Sequence, residues 1–190
     1  MSIENLKSFF DKITPIPDDE WLRYKPNCIE KTYKKNEYLL HHGEYSPNLI
    51  YIVSGLIKRC YTDPNGKEFV HYFGRNGQLT GSFSSIITRQ PSKVDIVAIK
   101  DSQVVLFNYE NYKEFFKSHR SWEQVSRILL EHHFLGRETR EYQLLMLSAK
   151  QRYDAFLEEY SDCKDQLTNK DIASFLGITP EAFSRLKKRN

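Results

Sequence analysis

The residues of this sequence with the most chemistry to offer lie in its last twenty-five positions, QLTNKDIASFLGITPEAFSRLKKRN. From Thr179 to the end, four basic residues (Arg185, Lys187, Lys188, Arg189) stand against one acid, Glu181. That excess equals the net charge of the whole chain, +3 from 28 basic and 25 acidic residues. A basic end on an otherwise neutral body favours an anionic partner, although a solvated basic tail has the same composition. The spacing adds geometry. Thr168 can cap a helix, with Asp171 three places on completing a box-like start. Ile172, Ala173, Phe175 and Leu176 supply its apolar face, and Gly177 ends it where a left-handed residue is cheapest. Thr179 caps a second helix and Pro180 takes its first position. Phe183 and Leu186 point back, so two short helices meet around a tight turn, the helix-turn-helix spacing. The outward face of the second helix is then polar: Glu181, Ser184, Arg185, Lys188. Arg185 can bond guanine O6 and N7 as a fork, and Glu181 can accept from cytosine N4. Thr168, Lys170 and Thr179 would hold phosphates, helped by the helix N-termini. These features point to double-stranded DNA; an αα-hairpin with a basic surface is the plain alternative.

Such a reading face needs a scaffold. At 190 residues the chain is one or two domains, large enough to bury a core without staples. Its 39% apolar and 28% charged content excludes a disordered or repetitive chain. No apolar run approaches the ~20 residues of a membrane span, and the N-terminus lacks a signal-peptide pattern. Cys28, Cys60 and Cys163 are few and scattered, as in a reduced cytoplasmic protein. Ile3, Leu6, Phe9, Phe10 and Ile13 predict an N-terminal helix. Asp18 or Asp19 is expected to cap a short second one. From Cys28 to Tyr109 the pattern is β, with runs at 29–33, 38–42, 49–53, 56–62, 68–73, 94–99 and 103–109. Turn signals separate them, Asp63-Pro64-Asn65-Gly66 most plainly, so a sandwich or barrel is expected. Trp122 to Leu147 then reads as one long helix. Val125, Ile128, His132, Leu135, Thr139, Tyr142 and Met146 fit a loose heptad, either a dimer seam or a face packed on its own chain. Another helix, from Ala149 to Tyr160, precedes the terminal motif.

Catalytic constellations are missing. His41 and His42 are adjacent on a strand and face opposite sides, and His132-His133 makes a poor chelate on a helix. No Gly-x-Ser-x-Gly, phosphate-binding loop or HExxH is present. The chain therefore reads as a non-enzyme, with no cofactor and no metal site.

The full layout resembles the Crp/Fnr family of bacterial transcription regulators. Leu49 to Ser85 carries the likeness to a cyclic-nucleotide-binding jelly roll, through Gly55, the Asn65-Gly66 turn, Gly77 and Gly81. The long helix matches the family's dimerisation helix, and the terminal segment its helix-turn-helix. The resemblance implies an α+β fold in three parts. Residues 1–120 would form a β jelly roll (a double-stranded β-helix), 121–147 a dimerisation helix, and 148–190 a helix-turn-helix unit. The family's β-hairpin wing is expected to be absent, since the sequence stops at Asn190. The resemblance also places an effector near Gly81, Ser82, Phe83, Ser92 and Lys93. Here the sequence departs from the members that bind cyclic AMP. Gly81-Ser82 stands where they have Gly-Glu, and Ser92-Lys93 where they have the phosphate-holding Arg. Losing both anchors should cost several kcal/mol, which points to the effector-orphan branch. Iron–sulfur members cluster cysteines near the N-terminus, which Cys28 alone cannot do. A haem sensor would need an axial ligand such as His71, although a lone strand histidine more often sits at the surface or in a satisfied core. The expectation is a cytoplasmic homodimeric regulator reading a pseudo-palindromic operator, with an unidentified small effector or an empty barrel. The alternative is a ligand-sensing or protein-interaction module whose DNA-binding unit is degenerate.

Overall fold

The computed structural model describes residues 2–188, so Arg189, counted above in the basic end, lies outside the described residues. Eight strands form two four-stranded antiparallel sheets: β1 (Cys28–Tyr33), β2 (Tyr38–Leu40), β3 (Asn48–Ser54), β4 (Leu56–Thr62), β5 (Glu68–Arg75), β6 (Leu79–Thr80), β7 (Asp95–Ala98) and β8 (Ser102–Asn108). One sheet runs β1-β8-β3-β6 and the other β2-β7-β4-β5, the strand order of a jelly roll. Alternation sorts the faces. Ile50, Ile52, Ile57, Ile96 and Val104 fill the space between the sheets. Their neighbours Leu49, Tyr51, Val105 and Phe107 point outward into a second core. The β4–β5 hairpin turns where expected: Asp63 accepts from the Asn65 and Lys67 amides, and Gly66 takes φ +79°.

Helices cover both outer faces. On the first sheet lie α1 (Ser2–Ile13), α2 (Asp18–Tyr24), α4 (Tyr109–Glu114) and the start of α5 (Arg120–Met146), around Phe10, Trp21, Tyr24, Tyr112 and Trp122. Between β6 and β7 a further short helix, α3 (Phe83–Thr88), forms. On the second sheet, Leu56, Cys60, Val70 and Phe73 receive α6 (Ala149–Glu159), α7 (Asn169–Leu176) and α8 (Pro180–Lys187).

Several expectations need correction. Neither Asp18 nor Asp19 caps α2; Pro17 is the capping residue, and the acids fill the first turn, where the helix dipole favours them. The long helix begins two residues before Trp122. Val125, head of the heptad frame, is fully buried with Trp122 in the chain's own core, because the first turns of α5 close the aromatic cluster. Beyond them the apolar side is bare: Phe134 is 66% exposed, Leu135 56%, Tyr142 57%, Leu145 74% and Met146 69%.

Candidate nucleic-acid interface and ligand site

The terminal motif forms as its spacing predicts. Thr168 caps α7, its hydroxyl accepting from the Asp171 amide at 3.0 Å and donating to the Asp171 carboxylate at 2.6 Å. Gly177 takes φ +67° and ends the helix. Thr179 caps α8 by accepting from the Ala182 amide at 3.2 Å, with Pro180 in the first turn. Phe183 is buried, which leaves Glu181, Ser184, Arg185 and Lys188 exposed at spacings of three and four residues on one face of α8. Lys170, Thr179 and Pro180 are exposed too. Among the described residues, Lys170, Arg185, Lys187 and Lys188 join none of the ion pairs, which involve other lysines and arginines. The amide N–H at Glu181 and the Thr179 hydroxyl hold the Glu181 carboxyl below its ordinary pKa, so it stays an acceptor. Thr168 and Thr179 both have their hydroxyl protons engaged by a neighbouring carboxylate, Asp171 and Glu181 respectively.

The face is held in place by the first of the two helices. Ser174 of α7 accepts from the Val70 amide at 2.9 Å and donates to the Glu68 carbonyl at 2.7 Å. Those are free ladder groups of β5, the edge strand, so the helix seals an exposed edge. Lys58 bridges Glu68 and Asp171, 3.0 Å from the latter. Burial would lower the pKa of this ammonium, but its two carboxylate partners hold it above its ordinary value. At the other end of α7, Arg140 of α5 donates to the Phe175 carbonyl, and Arg152 of α6 to that of Leu176 at 2.9 Å. Cations there satisfy orphan carbonyls and suit the helix dipole. Phe73, Phe156, Tyr160 and Phe175 pack beneath, with ring centroids 5.2–6.3 Å apart.

In the barrel, the structure brings four of the five expected effector residues together. Gly81 has φ +154°, and a Cβ there would stand 3.3 Å from the Asn48 carbonyl, so only glycine fits easily. Ser82 starts α3, Phe83 follows, and the buried Ser92 donates to Ser82 Oγ at 2.9 Å. The hydroxyls thus bond to each other where a carboxylate and a guanidinium were expected by resemblance. Lys93 does not join them; it is exposed. One residue the sequence reading passed over does: Arg59 of β4, 7% exposed, donates from Nη1 to the Gly81 carbonyl at 2.9 Å. Its signal was the pair Lys58-Arg59 inside an apolar strand. Alternation sends Lys58 to α7 and Arg59 to the opposite face.

The three cysteines are free and buried, and burial pushes the thiols up to about 12 at Cys28 and Cys60 and about 11 at Cys163. Among the described residues no cluster of His, Cys, Asp or Glu is arranged to hold a metal ion, and no helix is long and apolar enough to cross a membrane.

Comparison with known proteins agrees with this architecture. Residues 30–119 match the family model of the cyclic nucleotide-binding domain. FixK2 from Bradyrhizobium japonicum superposes with a TM-score of 0.74 at 20% identity, over 85% of this chain and 83% of that one. The c-di-GMP responsive global regulator CLP from Xanthomonas campestris gives 0.73 at 15% identity, over 91% of each chain. A protein described as a transcriptional regulator of the Crp/Fnr family, from Eubacterium rectale, gives 0.74 at 21% identity, over 92% of this chain and 83% of that one. No curated protein sequence matches.

Proposed function

Because the chain carries a cyclic nucleotide-binding domain on the fold of the Crp/Fnr regulators, we propose that it is a DNA-binding transcriptional regulator rather than an enzyme. The observation that carries this is the exposed row Glu181, Ser184, Arg185 and Lys188 on a capped, docked helix. Such a helix fits the major groove, with Arg185 reading guanine and Glu181 cytosine. Lys170, Thr179 and the N-terminus of α8 hold the backbone; Thr168 takes part by fixing α7.

The regulator works as a homodimer through α5, whose second half presents Leu135, Tyr142, Leu145 and Met146. A mate helix there removes that apolar surface from water. The three parts, 1–120, 121–147 and 148–190, act as sensor, dimerisation helix and reading head. Ser148, which caps α6 in a reciprocal box with Gln151, marks the joint between the last two. Cyclic AMP is not the effector, because Ser82 and Ser92 offer neither the carboxylate nor the guanidinium that would hold it.

The test is selection of fragmented genomic DNA by the purified protein at two salt concentrations. The expected result is enrichment of one palindromic motif that Arg185→Ala no longer selects, since a bidentate guanine contact is worth about 1–3 kcal/mol of discrimination. Salt-sensitive binding without a motif, equal in both proteins, would reduce the function to a basic grip on DNA. Binding by neither would favour the interaction-module reading.

A further inference from the structure

The β4–β5 hairpin carries an exposed lysine up to the first helix of the terminal pair. Pro64, Asn65, Gly66 and Lys67 of its turn are exposed. Just beyond them, Ser174 of α7 bonds the hairpin at Glu68 and Val70. Lys67 directly precedes Glu68, and neighbouring Cα atoms lie about 3.8 Å apart. Lys170 lies four residues before Ser174, on the same side of α7 and about 6 Å along it. A second link agrees. Glu68 and Asp171, the chain neighbours of these two lysines, share the Lys58 ammonium. Docking of α7 on the β5 edge therefore sets Lys67 of the sandwich beside Lys170 of the helical pair.

The charges there are sorted. Lys67 and Lys170 are exposed, and the ion pairs among the described residues involve other lysines. The acids next to them are engaged. Asp63 accepts from the Asn65 and Lys67 amides, both at 2.9 Å. Glu68 and Asp171 turn to Lys58, with side chains only 23% and 11% exposed. Lys67 is also held in position. Its Nζ stands 4.8 Å over the Phe69 ring, and Phe69 pairs with Tyr61 across the strands. Tyr61 stacks on His71 with centroids 4.8 Å apart. Arg59 pairs with Tyr72 and Cys60 with Val70, so His71 is the extra residue of a β-bulge. Bulges bend and twist the strand that carries them, and cross-strand aromatic pairs stabilise a hairpin. A cation on such a support loses less freedom on binding than one on a loose loop.

We propose that the β4–β5 hairpin is a second contact to the DNA backbone, in which Lys67 of the sandwich grips a phosphate beside the one held by Lys170. The partner is the duplex that α8 enters, so this contact rests on the regulator reading and extends its surface from the helical pair onto the sandwich. It carries no sequence information, because an ammonium is a point charge and phosphates are alike at every step. Bound DNA then spans the junction and holds α7 against β5.

The full-length protein is titrated with the duplex motif it selects, extended by about one helical turn on each side, over a series of salt concentrations. Lys67→Gln is compared with the wild type and with Lys12→Gln, which removes an exposed lysine of α1, over the other sheet. The expected result is that Lys67→Gln keeps the wild-type Tm and motif. It should bind about fivefold more weakly per subunit at about 0.15 M salt, with a log–log salt slope smaller by about 0.9 per subunit. Lys67→Arg keeps the charge and should keep the slope, and Lys12→Gln should follow the wild type. Wild-type slope and affinity in Lys67→Gln would overturn the contact. An equal loss in Lys12→Gln would overturn it by making the effect one of net charge, and a changed motif in Lys67→Gln by making Lys67 a base reader. The two readings fail separately. A wild type that selects no DNA removes the regulator reading and this contact with it, whereas selection with an unaltered slope in Lys67→Gln removes the contact alone.

Discussion

Burial of His71 and His133 ties single residues to stability. Both have folded pKa values below the ordinary 6.5, at about 3 and about 4. As pH falls through 6.5 the unfolded chain takes up these protons and the folded chain does not. The stability they allow is therefore complete above that pH and declines toward pH 3–4. The slope is up to about 1.4 kcal/mol per pH unit for each histidine. Melting curves between pH 7 and 5 should show Tm dropping in the wild type. The drop should be shallower in His71→Phe, which keeps a ring on Tyr61 and cannot be protonated; equal slopes would contradict the account. Residues also show the limit of what sequence made legible. Thr168, Gly177 and Thr179 could be assigned because capping is local chemistry. Arg59 could not, since its neighbours Gly81 and Tyr72 are brought to it only by sheet pairing and the bulge at His71.

Elements announced themselves in proportion to their length and periodicity. The long strands were readable from β-branched alternation, and Leu56–Thr62 was found at its observed limits. β6 has two residues, too few for a period, and α3 reads FSSIIT, a composition that favours strand. It becomes helical where the chain turns inward behind Gly81, which is tertiary context overriding propensity. The heptad on α5 was legible as a pattern but not in its partners: Val125 serves the chain's own core, and the bare side lies from Phe134 onward. That division makes a prediction. Light scattering should give a dimer for the wild type and a monomer for Leu145→Glu, with Tm of the monomer close to that of other dilute samples. Leu145 touches solvent over 74% of its surface, so the fold should not need it. A variant that stays dimeric would place the seam elsewhere.

At the scale of the molecule, the notable feature is how firmly the α7–α8 pair is joined to the β-sandwich. Ser174 completes the β5 edge, Lys58 and Asp171 pair across the junction, and Phe73 sits among Phe156, Tyr160 and Phe175. A buried phenylalanine in such a cluster is worth about 3–5 kcal/mol. The α7–α8 pair therefore has a defined orientation relative to α5, and the proposed dimer along α5 should present two such pairs in fixed register. None of this junction was legible beforehand, because Lys58 and Asp171 are 113 positions apart and Asp171 reads locally only as part of a helix cap.

That register is what a footprint measures most directly. On the DNA motif selected by the protein, hydroxyl-radical and base-methylation footprints should show two symmetric major-groove half-sites with centres about 34 Å, one helical turn, apart. In each, one guanine should be protected by the wild type and left open by Arg185→Ala. A single unsymmetric footprint, or guanine protection indifferent to Arg185, would contradict the claim that a paired molecule reads DNA through α8.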